Sequence, residues 1–269
     1  MEENVDKQKL IAALAETQED QMLLAQVWDR FSAGVRKNIP VFTAFLSGRE
    51  QVLAKQLVTR GGLGEPVFFG GTPNAERRVL CHVPDYYDPE SYLMSEDGPV
   101  AALRVSFSSY DTLNHRDFLG SLMGQGIGRQ VLGDIFPGEH SCDILVLREM
   151  ADYLVKQLTQ VGRAKVETKE ISLPELMVPE QKVKVIADTV ASLRLDSVMA
   201  SGFRLGRSKA SAYITAGKTE VNHMTVEKPD AMVAEGDIIS ARGLGKLRVK
   251  EVKGQTKKGR TALVLEKYI

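Results

Sequence analysis

The chain has 269 residues, of which 43% are hydrophobic and 26% are charged. This length and composition fit a globular protein of two or three small domains, and they argue against a chain that is disordered throughout. The first ten residues lack the basic start and apolar core of a secretory signal, and no later apolar run is long enough to span a membrane. We therefore expect a cytoplasmic protein that makes no membrane contact.

The cysteines and histidines indicate neither metal nor redox chemistry. Cys81 and Cys142 are far apart and lack the paired spacing of a zinc or redox motif, so we expect buried, reduced thiols. The four histidines show no metal-ligand spacing. We predict no metal site, no cofactor and no catalytic residue.

The formal net charge is zero, but the charges are unevenly distributed. From Arg194 onward there are 15 Lys or Arg against 8 Asp or Glu, a surplus of +7, and the basic residues recur as far as Lys257, Lys258 and Arg260. The residues before Arg194 carry −7. A basic C-terminal third suits a polyanion such as RNA, although charge alone leaves open that these residues serve only solubility.

Helical patterns dominate the first part of the chain. Apolar residues between 10 and 14 and between 23 and 31 recur at helical spacing, which is typical of helices with one core-facing side. Ser47 and Glu50 fit a capping box, so Ser47 should start a helix that stops near Gly61-Gly62. We therefore predict a mainly helical domain over residues 1–66.

Residues 67–180 show short apolar runs with helical patterns between them. We predict strands over 79–83, 100–107, 142–146 and 165–171, a short strand near Ile135, and helices over 117–124 and 149–161. From residue 100 onward this order is that of an RRM-like (ferredoxin-like) α/β plait. Phe107 is nearly the only aromatic residue on these strands, so the plait does not need to bind RNA by base stacking.

A segment with two prolines, residues 173–180, is expected to link this plait to a third domain over residues 181–269. Ser192 should cap a short helix that carries Leu195, Val198 and Met199 on its apolar stripe and ends at Gly202.

A second helix follows directly and has a basic first turn. Gly206 is its expected N-cap and Gly217 its expected stop, which puts Arg207, Ser208 and Lys209 in the first turn. Free backbone N–H groups and the positive end of the helix dipole favour a phosphate at this position. The sequence therefore predicts an anion site at the start of this helix.

Beyond this helix we predict a hairpin that turns at Asn222-His223 and a strand over residues 238–242. The stretches RLDSVMASG, GRSKASAYITAGK, VN and GDIISARGLGK resemble the S-four RNA-binding domain first known from a ribosomal protein. Gly206, Thr219 and His223 depart from the residues usual there. The resemblance implies an RNA site that comprises Arg194, Arg204, Arg207, Ser208, Lys209, Lys218, Asn222, Arg242, Lys246 and Arg248.

The upstream stretches FLSGREQVL, FFGGTPNAERR and HRDFLGSLMGQGIGRQVLGDI are similar to the YlmH family of bacterial RNA-binding proteins. With the S-four-type domain, the resemblance covers nearly the whole chain. It implies an α+β fold in which a helical N-terminal part, an RRM-like plait and the S-four-type domain follow one another. A second RNA contact is expected from Arg77, Arg78, His115, Arg116 and Arg129.

The family resemblance also implies a function. It implies a non-catalytic factor, expected to be a monomer, that binds ribosomal RNA and tRNA on the large ribosomal subunit. The resemblance further implies a role in the rescue of stalled nascent chains, with a link to cell division in some bacteria.

Several motifs leave alternatives open. His115-Arg116-Asp117 is similar to a kinase catalytic loop, but the other kinase motifs are missing. Arg194 and Asp196 are similar to a catalytic segment of pseudouridine synthases, and they can equally pair with each other or cap a helix. The alternative function is an RNA-modifying or RNA-processing enzyme with its site in the plait, which a bound nucleotide or methyl donor would favour.

Overall fold

The computed structural model describes residues 6–257 and 259–269, so Lys258 of the basic third lies outside the described residues. The chain divides into two compact units, Met1–Pro179 and Glu180–Ile269. Helices and antiparallel sheets occur together, which confirms the predicted α+β class. Within the described ranges, no helix is long and apolar enough to cross a membrane.

Three helices open the first unit, and their starts follow from local capping. These helices are α1 (Lys7–Leu14), α2 (Gln18–Lys37) and α3 (Gly48–Arg60). The predicted capping box is confirmed, because the Ser47 hydroxyl accepts from the Glu50 N–H while the Glu50 carboxylate accepts from the Ser47 N–H. The helix ends at Gly61, as expected. The three helices share a core that includes Leu24, Phe31 and Leu57.

A small sheet combines one strand from between α2 and α3 with two strands that follow α3, and so it crosses the predicted boundary at residue 66. Its strands are β1 (Val41–Phe42), β2 (Val67–Phe69) and β3 (Val79–His82), with β3 in the centre. Since β3 pairs with strands from both sides of residue 66, residues 1–66 and 67–179 build one compact unit. The short helix α4 (Pro89–Met94) comes next.

The rest of the first unit has the topology of a plait. Its elements are β4 (Val100–Phe107), α5 (His115–Gly124), β5 (Leu132–Pro137), β6 (Ser141–Leu147), α6 (Arg148–Gln157), β7 (Gln160–Val161) and β8 (Ala164–Ile171). They form an antiparallel sheet in the order β5-β6-β4-β8-β7. The helix predicted to reach Val161 ends at Gln157 instead, because Val161 turns back on Ala164 in a tight hairpin.

The second unit is a six-stranded antiparallel sheet with two helices on one face. In chain order its elements are β9 (Val183–Val190), α7 (Leu195–Phe203), α8 (Arg207–Thr215), β10 (Thr219–Val221), β11 (Met224–Thr225), β12 (Ile238–Ala241), β13 (Gly245–Gln255) and β14 (Thr261–Tyr268). The strand order is β11-β10-β12-β13-β14-β9. The sequence patterns did not predict β9, which pairs with β14 along its whole length.

Two expectations for α7 are wrong. Ser192 does not cap the helix, since Arg194 is the N-cap residue and the N–H groups of Leu195 and Asp196 donate to the backbone oxygens of Ala231 and Pro229. A loop thus satisfies the helix start in place of a side chain. Gly202 does not end the helix, either, because α7 continues to Phe203.

Gly202 instead allows close packing of α7 on the sheet. A Cβ atom added at Gly202 would lie 2.3 Å from Cδ1 of Leu247 on β13. The C-cap residue of α7 is Arg204, which takes the left-handed conformation at φ 55°. The second helix agrees with its prediction, since Gly206 is its N-cap and Gly217 follows its end with φ 63°.

The predicted hairpin turn is confirmed. Asn222 and His223 have φ angles of 51° and 68°, the left-handed pair that a two-residue turn between antiparallel strands requires. The Asn222 side chain fixes the turn, because its Nδ2 donates to Asp237 at 2.8 Å and its Oδ1 accepts from the Ile238 N–H at 3.0 Å.

Both cysteines are free and fully buried in the first unit, as predicted. Burial raises the pKa of the Cys81 and Cys142 thiols well above the usual range. The two thiols are therefore uncharged and shielded at neutral pH.

Candidate nucleic-acid interface

A buried carboxylate joins the starts of the two helices in the second unit. Asp196 lies in the first turn of α7, and its side chain is only 4% exposed. Arg194 donates to it through Nε at 3.3 Å and Nη2 at 3.2 Å. Arg207, the first residue of α8, donates through Nε at 3.1 Å and Nη2 at 3.4 Å. One carboxylate thus holds two guanidinium groups.

The electrostatics keep this cluster ionised. Burial raises the pKa of Asp196, but hydrogen bonds from Arg194 and Arg207 outweigh burial and leave the pKa below its usual value. The same carboxylate raises the pKa of Arg194. With one anion and two cations, the cluster keeps a net charge of +1 at neutral pH.

The start of α8 is open beside this cluster. Gly206 provides no side-chain cap, and a Cβ atom added there would meet nothing within 4 Å. The first N–H groups with a helical acceptor belong to Lys209 and Ala210, which leaves those of Arg207 and Ser208 ahead of the first helical hydrogen bond. Arg207, Ser208 and Lys209 are exposed, so cationic side chains and free N–H groups meet at one surface.

Two more predicted cations lie at the other end of α8. Lys218 follows the helix end, and its Nζ is 5.9 Å from the centre of the Tyr213 ring. The Arg242 N–H donates to the Lys218 backbone oxygen at 2.9 Å, so these two exposed residues are neighbours. Arg204 is exposed at the C-cap of α7.

The structure separates Lys246 and Arg248 from the Asp196 cluster. Both lie on β13 and alternate with Leu247 and Val249, which are buried in the core with α7 and α8. Because side chains alternate along a strand, Lys246 and Arg248 point to the opposite face of the sheet. The predicted residues of this unit therefore occupy two faces.

Three of the arginines predicted to make a second RNA contact are used inside the first unit. Arg77 donates to the backbone oxygens of Leu132 and Phe45, both at 2.9 Å, and Arg129 donates to Leu132 and Gly133, both at 3.1 Å. Burial lowers the pKa of Arg77 and of Arg129. Both guanidinium groups therefore connect neighbouring segments of the unit to β5.

Arg78 has a similar internal role. Its guanidinium donates to the backbone oxygens of Ala75 at 2.8 Å and Pro73 at 3.0 Å. These hydrogen bonds hold the loop before β3 in place.

His115 and Arg116 are the exposed members of the predicted second contact. They occupy the first turn of α5. Asp117, the third residue of the kinase-like motif, belongs to a capping box in which its carboxylate accepts from the Asn114 N–H at 2.8 Å. The motif is therefore a helix start that presents two basic side chains.

Comparisons with known proteins place the chain in a family. Residues 95–175, which contain the plait, match the family model described as "Putative RNA-binding domain in YlmH". The "Ribosome-associated protein quality control protein P2" of Bacillus subtilis (strain 168) is 37% identical over 226 residues, which is 84% of this chain and 86% of that protein. The chain belongs to the YlmH family.

A solved structure carries the same family name. The "Cell division protein ylmH from Streptococcus pneumoniae" is 19% identical and superposes with a TM-score of 0.50, covering 61% of this chain and 98% of that one. At this identity the likeness shows the fold alone.

The sequence of this YlmH-family chain does not predict the hydrogen bonds from Arg207 to Asp196. Spacing suggested a pair between Asp196 and Arg194, and that pair is present. The partner Arg207 lies 11 residues further on in a separate helix, a separation that no local pattern reports. Only the packing of α7 against α8 brings the two residues together.

Proposed function

We propose that this protein is a non-catalytic RNA-binding factor that acts on the ribosome. The observation that carries the proposal is the cluster of Arg194, Asp196 and Arg207 beside the open start of α8. Guanidinium forks bind phosphate oxygens with two parallel hydrogen bonds, and free helical N–H groups also donate to phosphate. The unit that contains them, Glu180–Ile269, has 17 Lys or Arg against 10 Asp or Glu.

The comparison with relatives supports the ribosomal part of the proposal. A relative that is 37% identical over most of both chains is named as ribosome-associated, and the matched family model describes an RNA-binding domain. We propose that the partners are ribosomal RNA and tRNA on the large subunit, and that the process is the rescue of stalled nascent chains. In this view the protein is a cytoplasmic monomer, with a cell-division link in keeping with the name of the Streptococcus structure.

Our proposal assigns different roles to the parts of the chain. The helical residues 1–66 and the plait residues 67–180 form a scaffold, in which His115 and Arg116 make the second RNA contact. Residues 181–269 form the S-four-type domain with the principal site. In that domain Arg204, Lys209, Lys218 and Arg242 contact the RNA on the helix-bearing side, and Lys246 and Arg248 contact RNA from the other face.

Co-sedimentation with purified bacterial large ribosomal subunits tests the proposal. The logarithm of the association constant, obtained from the bound fraction at several subunit concentrations, should fall linearly with the logarithm of the salt concentration, with a slope of about 0.7 to 0.9 for each phosphate contacted. Small ribosomal subunits at the same concentration are the control and should retain less protein. Equal retention by both subunits, or a bound fraction that does not respond to salt, would contradict the proposed function.

A further inference from the structure

The geometry around Asp196 leaves one side of each arginine open. Arg194 and Arg207 both bind the carboxylate through Nε and Nη2, the same edge of the guanidinium group. Among the described residues, neither Nη1 has a hydrogen-bond acceptor. The arginine side chains are 38% and 55% exposed, whereas that of Asp196 is 4% exposed. The carboxylate is thus hidden behind two cations that face solvent.

We propose that Asp196 is a positioning residue of the RNA interface, which holds Arg194 and Arg207 side by side so that their open edges grip one stretch of phosphodiester backbone. The inference rests on the proposed function, because it concerns the same surface. RNA itself does not touch Asp196 in this arrangement. Asp196 accepts hydrogen bonds from the two arginines, and the arginines donate to the non-bridging phosphate oxygens of the RNA.

Positioning has a physical advantage at this place. A free arginine side chain on the surface samples many rotamers, and that freedom is lost when the fork binds a phosphate. Here the hydrogen bonds to the buried carboxylate restrict the rotamers of both arginines before RNA binds. The guanidinium is planar, so fixing one edge also fixes the direction of the other edge.

Simple electrostatics makes the opposite prediction. Asp196 is an anion close to a surface that binds a polyanion, and its removal raises the local charge by one unit. If only charge mattered, the substitution Asp196→Asn would strengthen RNA binding. If positioning matters, the same substitution weakens binding even though the net charge becomes more positive. The sign of the effect therefore separates the two explanations.

The test measures equilibrium binding of the full chain to purified large ribosomal subunits and to bulk tRNA. We expect Asp196→Asn to bind about ten-fold more weakly than the unsubstituted protein, because two long side chains lose their fixed geometry. The matched control is Asp230→Asn, which removes an exposed carboxylate that acts on Arg194 through charge alone. This control should bind as tightly as the unsubstituted protein or slightly more tightly.

A second background excludes an indirect effect through folding. In a chain with Arg194→Ala and Arg207→Ala, adding Asp196→Asn should cause no further loss of binding, since the residues through which Asp196 acts are gone. A further loss in that background would overturn the proposal. So would binding by folded Asp196→Asn that equals or exceeds that of the unsubstituted protein.

The variant Arg207→Lys tests the idea without touching Asp196. It keeps the charge but replaces the two-edged fork with a single ammonium group. We expect a loss close to that of Arg207→Ala, and binding equal to that of the unsubstituted protein would overturn the proposal. If the unsubstituted protein binds neither subunits nor tRNA, the proposed function fails. If it binds and Asp196→Asn has no effect, only the positioning role fails.

Discussion

Arg207 and Lys209 share the first turn of α8 but differ in their surroundings. Arg207 is held by Asp196, whereas Lys209 is exposed on the helix surface. Replacing both with alanine should weaken RNA binding by about ten-fold or more, since each charge-assisted contact contributes on the order of 1.5 to 3 kcal/mol before screening. Equilibrium titration with large ribosomal subunits measures this loss.

The stability of the same double variant should change by less than about 1 kcal/mol, because Arg194 still pairs with Asp196. The matched control replaces Lys253 and Lys257, two exposed lysines of the same unit that lie away from a helix start. If both double variants lose the same affinity, diffuse charge and not the helix start determines binding.

Asp20 provides a pH-dependent test at the residue scale. The hydrogen bond from Arg49 lowers the pKa of this carboxyl to about 2, and burial opposes the shift only in part. Because the folded pKa lies below the unfolded value, the stabilisation is complete above about pH 5 and is lost as the pH falls through about 2. Its size is about 2 kcal/mol.

Asp20→Asn should therefore lower the free energy of unfolding at pH 7 by about 2 kcal/mol and change it little near pH 2. Urea unfolding followed by fluorescence reports on this unit, because Trp28 is the single tryptophan and lies on α2. Glu19→Gln, on the exposed side of the same first turn, is the control and should have a much smaller effect. An equal loss at both pH values would contradict the ion-pair explanation.

At the scale of elements, β9 closes the sheet of the second unit. It covers the edge of β14 over eight residue pairs and contributes Val190 to the core. A fragment over residues 180–269 should therefore fold alone, whereas a fragment that begins at residue 192 should not, since it exposes the whole edge of β14. Amide hydrogen exchange on both fragments measures the difference. A protected shorter fragment would show that β9 is dispensable.

The sequence predicted those elements whose signals are local. The Ser47 capping box, the Gly206 start of α8 and the Asn222-His223 turn depend on residues within a few positions of one another. Strand β9 was missed because three of its eight residues are polar and its partner β14 lies at the far end of the unit. The start of α7 was misplaced for a similar reason, since its acceptors lie in a loop near residue 230.

The features of the candidate site were also predictable only where their signals are local in the sequence. The basic first turn of α8 was predictable from sequence because it needs only a helix start and neighbouring cations. The split of the basic residues between two faces was not, because it depends on which side of β13 packs against the helices. The bond from Arg207 to Asp196 likewise requires two helices to pack together.

At the scale of the whole molecule, the two units carry opposite charge. Glu180–Ile269 has a formal charge of +7 and Met1–Pro179 one of −7. An acidic unit on the same chain repels a polyanion, and salt screens this repulsion over about 10 Å at 0.1 M. We therefore expect the fragment over residues 180–269 to bind bulk tRNA at least as tightly as the full chain at low salt, with the difference shrinking as salt rises.

Binding curves for the fragment and the full chain at several salt concentrations test this expectation. Tighter binding by the full chain at every salt concentration would mean that the proposed contact through His115 and Arg116 outweighs the repulsion. The double variant His115→Ala and Arg116→Ala in the full chain then shows whether the start of α5 makes that contact.

The buried thiols make the two units chemically distinguishable. Both cysteines of the chain lie in the first unit, fully covered by its core, and the second unit contains none. The rate at which a thiol-alkylating reagent modifies the protein therefore measures opening of the first unit alone, since the thiols react only when that core opens. Because both native cysteines are buried, a thiol-reactive dye should label native Ser208→Cys only at residue 208, which is exposed. The dye would then report on the start of α8, and no other side chain would have to be replaced.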